Sequence, residues 1–222
     1  MPEPVSDDRQ RLTQGLDALD LALPEAVQTQ LLAFRDLLAR WNRTYNLTAV
    51  RDPAQMVVRH LFDSLAVAPY LQGERILDVG TGAGLPGVPL ALAQPQRHFV
   101  LLDSQAKRAR FLHQVVIALG IANIEVVQAR VEDYQPDRPF DTIVSRAFSR
   151  IADFVQLAGR HCADFGVLLA MKGVQNEVEL SCVSEPWRVA EIIRLEVPGL
   201  AGERHLIRIN RPVRGQASDE RR

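Results

Sequence analysis

The sequence predicts an α/β fold, a mostly parallel seven-stranded sheet wrapped by helices and preceded by a helical N-terminal extension. Three observations predict it. From residue 75 onward, short apolar runs alternate with amphipathic stretches of about ten residues or more, the pattern of parallel strands joined by crossover helices. Two late apolar runs stand close together, which suits an antiparallel hairpin at one edge. The first third of the chain has helical periodicity instead.

In chain order, Val27, Leu31, Phe34, Leu38, Trp41 and Tyr45 recur at steps of four and three and draw one stripe down a helix that starts at Pro24. Asn42, Arg43, Asn46 and Thr48 then fall beside that stripe, exposed, where they can shape an entrance. Asp52-Pro53 begins a further helix whose stripe is Val57, Leu61, Leu65 and Ala68. Strands are expected over Arg75–Val79, His98–Asp103, 124–127, 140–144, 167–171, 188–197 and 204–209. Helices are expected over 85–93, 105–119 and 151–162, the last carrying Cys162 at a core position. The domain reading is a helical extension over residues 1–70 and a sheet domain over 71–211. Residues 212–222 alternate charge with small side chains and read as a disordered tail.

Hydrophobic residues make up 47% of the 222 and charged residues 24%, a balance that lets a chain of this size fold without a disulfide or metal. Cys162 and Cys182 lack paired spacing, and the histidines lack metal-ligand spacing. The acidic, polar start has no signal-peptide character and no apolar run approaches about 20 residues, so a cytoplasmic protein without a membrane anchor is expected. Net charge is −1, so a nucleic-acid partner would have to be met by a local basic patch. Only two of the 26 basic residues are lysines, Lys107 and Lys172, which draws attention to Lys172 beyond the fifth strand.

The loop after the first strand reads Gly80-Thr81-Gly82-Ala83-Gly84. Alternate glycines permit positive φ and close approach of a ligand to backbone, and the following helix offers its N-terminal amides to a negative group. A dinucleotide loop would place its third glycine at position 85, which is Leu85. The order Asp78-x-Gly80-x-Gly82-x-Gly84 instead resembles the first motif of S-adenosylmethionine-dependent methyltransferases, for which a Rossmann-like sheet with a terminal hairpin is the expected frame. The anion served would be the donor's carboxylate. Asp103 ends the second strand 21 residues beyond Gly82, where a carboxylate can accept both ribose hydroxyls. That supports a nucleoside cofactor without choosing its kind. Val131 and Glu132 follow the third strand and are placed to line the adenine.

The acceptor is narrowed by what the loops contain. Ser145-Arg146-Ala147-Phe148 is not the loop used for exocyclic amines, and neither cysteine lies where a pyrimidine nucleophile would. Guanine N7 needs neither. Its lone pair lies in the base plane and no proton is lost on methylation, so catalysis is positioning and no residue is read as a catalytic acid or base. Arg146 is a candidate for cofactor, phosphate or guanine edge, and Lys172 for phosphate. His60 reads as a packed, hydrogen-bonded structural residue. An NAD-dependent oxidoreductase, a non-catalytic RNA-binding module and a small-molecule methyltransferase remain the alternatives at this point.

Longer segments carry a narrower resemblance. Trp41-Asn42-Arg43-Thr44-Tyr45-Asn46-Leu47-Thr48, Val58-Arg59-His60-Leu61-Phe62-Asp63-Ser64-Leu65, the stretch from Leu77 to Gly87, Leu102-Asp103-Ser104, Lys107-Arg108, Ser145-Arg146-Ala147-Phe148, Lys172-Gly173 and Gly202-Glu203-Arg204-His205 together resemble the bacterial 16S ribosomal RNA guanine-N7 methyltransferase G family, also called glucose-inhibited division protein B. The likeness covers about residues 24 to 210. It implies a class I methyltransferase acting on 16S ribosomal RNA, at guanine 527 in the family's reading, with a link to streptomycin sensitivity; the partner is expected to be that RNA or a small-subunit particle, and the protein a monomer. It also implies that Gly80, Leu85, Val131, Glu132 and Arg146 contact the cofactor, beside Gly82, Gly84 and Asp103 from the motif spacing.

Overall fold

The computed structural model describes residues 4–173 and 183–212, for 4–6 the backbone alone. Cys182 and nearly all of the tail expected to be disordered lie outside the described residues. Helices α1 (Pro4–Ala18) and α2 (Glu25–Tyr45) lead into a bent segment made of α3 (Pro53–Met56), a π-helical stretch Val57–Phe62 and α4 (Asp63–Leu65). Then come β1 (Arg75–Val79), α5 (Gly87–Ala93), β2 (His98–Asp103), α6 (Ala106–Leu119), β3 (Ile124–Gln128), β4 (Phe140–Ser145), α7 (Ile151–Ala158), β5 (Cys162–Lys172), β6 (Arg188–Arg194) and β7 (His205–Asn210). The seven strands form one sheet in the order β3-β2-β1-β4-β5-β7-β6. The first five are parallel, and β7 runs antiparallel between β5 and β6.

Neighbouring residues on each central strand point to opposite faces. Ile76, Phe99, Leu101 and Leu169 pack with Phe34, Leu61, Val88 and Phe111, so α2, the bent segment, α5 and α6 cover one face as a single apolar cluster. Leu77, Val100, Leu102, Ile143 and Leu168 meet Ile151, Phe154 and Trp187 on the other. The N-terminal helices therefore share the sheet's own core. Val79, Asp103, Ser145 and Lys172 end their strands along one rim.

Several sequence expectations are corrected. Cys162 opens β5 instead of sitting in a helix, because α7 closes at Ala158 and a 3-10 turn (Gly159–His161) reverses the chain. Helix α5 starts at Gly87, not 85, since the amides of Gly84 and Leu85 turn back to the Thr81 carbonyl. Tyr45 is 41% exposed, leaving the core stripe where α2 ends, although its ring still lies 5.1 Å from that of Trp41. Asn42 is buried, not exposed: its amide donates to the Val50 carbonyl at 3.1 Å and its oxygen accepts from the Thr48 amide at 2.8 Å. It staples the loop that leaves α2.

That loop in turn holds His60. Thr48 Oγ1 lies 2.9 Å from His60 Nε2, and His60 Nδ1 lies 2.9 Å from the Arg59 carbonyl. Burial first, and the nearby Arg146 charge second, lower its pKa from 6.5 to about 4. A neutral, packed imidazole is the structural residue that the sequence suggested.

This packing has two measurable outcomes. A Cβ on Gly15 would lie 1.9 Å from Cζ of the buried Phe62 ring. Gly15→Ala should thus lower stability by about 1–3 kcal/mol despite alanine's better helix propensity, which thermal melts can check. Because His60 resists protonation in the fold, its contribution is present above pH 6.5 and is lost as pH falls through 6.5 towards about 4. Urea melts should show wild type losing roughly 3 kcal/mol more over that range than His60→Gln.

Candidate functional site

Strand order reverses between β1 and β4, so the loops leaving them diverge and open a crevice above their carboxyl ends. The Ser145 hydroxyl ties the two together, donating to the Val79 carbonyl at 2.7 Å and accepting from the Ala147 amide at 3.1 Å. A Cβ on Gly80 would stand 2.7 Å from that of Ala147, so glycine there (φ +67°) lets the loops meet.

Four of the five amides of the glycine loop are engaged within the chain. Those of Gly80 and Thr81 donate to the Leu102 carbonyl at 2.8 and 3.1 Å, and those of Gly84 and Leu85 to the Thr81 carbonyl at 2.9 Å each. Gly82 donates to Asp103 Oδ2 at 2.9 Å, and Gly87 to Asp78 Oδ2 at 2.8 Å. The amides of Gly80, Gly82 and Gly84, expected to be bared for the donor's carboxylate, are thus engaged in this structure, and the carboxylate at that helix start is Asp78. Asp78 is fully buried, also accepts from Thr81 Oγ1 at 2.6 Å, and has its pKa raised by burial from 3.8 to about 6 against those two bonds. Spacing alone does not reveal which carboxylate lies inside, and Asp78 was missed as a functional residue for that reason. Gly87 serves it too, since a Cβ there would be 2.7 Å from Asp78 Oδ2.

Gly84 and Leu85 face the core. A Cβ on Gly84 would come within 2.8 Å of Val88 and Leu112, and Leu85 is buried. Gly82 (φ +60°) is the opposite case, with nothing nearer than 3.9 Å to the place a Cβ would take.

Gly80, Asp103, Val131 and Glu132 line one cavity of about 250 Å³, together with Ala147 and Phe148. Asp103, 4% exposed, also receives the Gln105 amide at 2.9 Å and Arg108 Nη1 at 3.1 Å, so the residue caps the turn after β2 as well as facing the cavity. Arg160 donates to the carbonyls of Val131 and Glu132, and His161 Nε2 lies 3.0 Å from the Val131 carbonyl. These two residues, unremarked in the sequence, fix the loop that carries Val131 and leave Glu132 exposed. The crevice thus presents the Asp103 carboxylate and an apolar wall at Val131, and the neighbouring Gly82, bonded to Asp103, has open space beside it.

Arg146 and Lys172 line a different cavity, of about 340 Å³, with Arg59, His60, Asp63 and Arg204. Arg146 Nη1 donates to Asp63 Oδ2 and Arg204 Nε to Asp63 Oδ1, each at 3.0 Å. Lys172 donates to the carbonyls of Phe148 and Ser149. Asp63 and Arg204 stand out in the sequence only as parts of larger motifs, because 141 residues separate them. Burial pushes the pKa of the Cys162 thiol up to about 12. Among the described residues no helix is long and apolar enough to cross a membrane.

Comparison with known proteins agrees with this geometry. Residues 27–207 match the model of the family described as rRNA small subunit methyltransferase G. The chain is 48% identical over 202 residues to the ribosomal RNA small subunit methyltransferase G of Alkalilimnicola ehrlichii, covering 91% of this chain and 92% of that one. It is 47% identical over 197 residues to the protein of the same name from Escherichia coli, covering 89% and 95%. Among solved structures, an S-adenosylmethionine-dependent methyltransferase from Aquifex aeolicus shares the fold with a TM-score of 0.56 and 22% identity, over 71% of this chain and 93% of that one. The chain belongs to the rRNA small subunit methyltransferase G family and is an S-adenosylmethionine-dependent methyltransferase.

Proposed function

We propose that this methyltransferase modifies N7 of a guanine in 16S ribosomal RNA, guanine 527 in the family's reading, by in-line transfer without a general base. The observation that carries the proposal is the crevice at the β1/β4 divergence, which gathers Gly80, Asp103, Val131 and Glu132 in a chain of this family. S-adenosylmethionine, when bound, supplies an electrophilic methyl group on its sulfonium.

The chain's residues then have distinct tasks. Asp103 keeps one of its roughly four lone-pair sites beyond those given to Gly82, Gln105 and Arg108, and so can accept one ribose hydroxyl outright and a second in exchange for one of these contacts. Val131 offers the adenine an apolar wall and Glu132 the cavity's polar edge. Gly80 and Gly82 admit the ligand close to backbone, while Gly84 and Leu85 act through the loop's shape. Arg146 stands on the rim between donor and RNA. The titratable groups nearby suit an acceptor that loses no proton: His60 has both ring nitrogens engaged, Asp63 holds two arginines, and Asp78 is tied to Thr81 and Gly87. We further place the enzyme in the cytoplasm as a monomer, acting on free 16S RNA or on a small-subunit particle.

The direct test uses methyl-labelled S-adenosylmethionine with 16S RNA, or with small subunits, lacking the modification. Label should appear at a single guanine N7 in at least one of the two substrates; none in either would remove the proposal. The pocket is tested separately by Gly82→Ala against Gly120→Ala. Both glycines have φ near +60° with open space beside them, but Gly120 closes α6 far along the chain from the loop. Each should lose about 1–2 kcal/mol of stability, and only Gly82→Ala should weaken S-adenosylhomocysteine binding, by tenfold or more in calorimetric titration.

A further inference from the structure

We propose that Asp63, Arg146 and Arg204 form a phosphate site for the RNA backbone, in which Asp63 is the positioning residue and the two guanidiniums grip one phosphodiester of the substrate strand. The proposal rests on the reading that the acceptor is RNA. Three distant segments build it: α4 supplies Asp63, the loop after β4 supplies Arg146, and the residue before β7 supplies Arg204. Asp63's side chain is 3% exposed whereas those of Arg146 and Arg204 are 30% and 31% exposed. The carboxylate is therefore the floor, with one oxygen for each arginine, and the guanidiniums reach from it towards solvent.

This arrangement leaves donors over. Arg146 uses Nη1, on Asp63 and the Arg59 carbonyl, and Arg204 uses Nε on Asp63 and Nη1 on the Glu203 carbonyl. A guanidinium carries five N–H groups, so among the described residues Nε and Nη2 of Arg146 and Nη2 of Arg204 have no partner beside a cavity of about 340 Å³. Two convergent guanidiniums suit a tetrahedral oxyanion.

Two chemical points select a phosphate among possible anions and bases. An arginine fork laid on guanine O6 and N7 would occupy the lone pair that must take the methyl, so these arginines do not read that edge. The methyl donor carries a sulfonium and an ammonium against one carboxylate and is a net cation. The cavity sets three guanidiniums, those of Arg59, Arg146 and Arg204, against the single carboxylate of Asp63 among its described lining residues, a balance that favours a polyanion over a net cation.

The test compares Arg204→Gln and Arg204→Lys with wild type, using unmodified 16S RNA and, separately, S-adenosylhomocysteine. Arg204 is partly exposed, and melting curves verify that both variants fold. Arg204→Gln should weaken RNA binding about tenfold at moderate salt and reduce the slope of log affinity against log salt by about one; S-adenosylhomocysteine affinity should change less than twofold. Arg204→Lys should restore most of the slope but not all of the affinity, since an ammonium keeps the charge and loses the fork. An unchanged salt slope in Arg204→Gln overturns the proposal, as does a loss of S-adenosylhomocysteine affinity equal to that for RNA, which would assign the anion to the donor's carboxylate. The expected slope difference in an enzyme that puts no methyl on guanine N7 would instead sink the proposed reaction and leave this phosphate site standing.

Discussion

The loop between β1 and α5 keeps its shape because one oxygen of Asp78, sealed beneath it, receives both the Thr81 hydroxyl and the Gly87 amide. Those two bonds span the whole glycine segment. They fix where Gly80 touches the β4 loop and which side of Gly82 stays open, and they supply the start of α5 with its negative partner. The burial that raises the Asp78 pKa makes each of these bonds costly to lose, since an unpaired carboxylate would remain inside the protein. The faces that Gly80 and Gly82 present follow from that constraint.

The other half of the site depends on the N-terminal helices. Helix α2 ends in a loop stapled by Asn42, the loop holds His60 through Thr48, and the π-helical stretch carrying His60 delivers Asp63 to the rim. A π-helical turn inserts an extra residue per turn and rotates the downstream residues around the axis, a device often found where a side chain must be aimed. The bent segment also packs on α1, where Gly15 lets Phe62 fit. The region first read as an extension thus forms one wall of the Asp63 cavity.

Elements were legible where a local pattern determines them. The run Arg75–Val79 before a glycine loop, and Asp103 at the tip of the next strand, emerge from alternation and spacing, and each was placed correctly from sequence alone. The late hairpin was legible too, but not that β7 lies inside it and β6 at the edge, because both strands read as equally apolar. The bonding of the loop amides was illegible, since it depends on which carboxylate folding buries. So was the Asp63 pair of arginines, whose members meet only when segments far apart in sequence are brought to one rim. Asn42 shows the limit in miniature: helical periodicity assigned it to solvent, and a turn made downstream required it inside.

The bond from the Gly82 amide to Asp103 has a kinetic side. On the proposed role of Asp103, an arriving sugar would compete with a contact that the protein already makes, so net affinity would reflect an exchange of partners. When the pocket empties, loop and carboxylate close on each other again without leaving a charged group bare. On that proposed role, such a self-satisfied resting state would ease release of spent cofactor and favour turnover over tight retention.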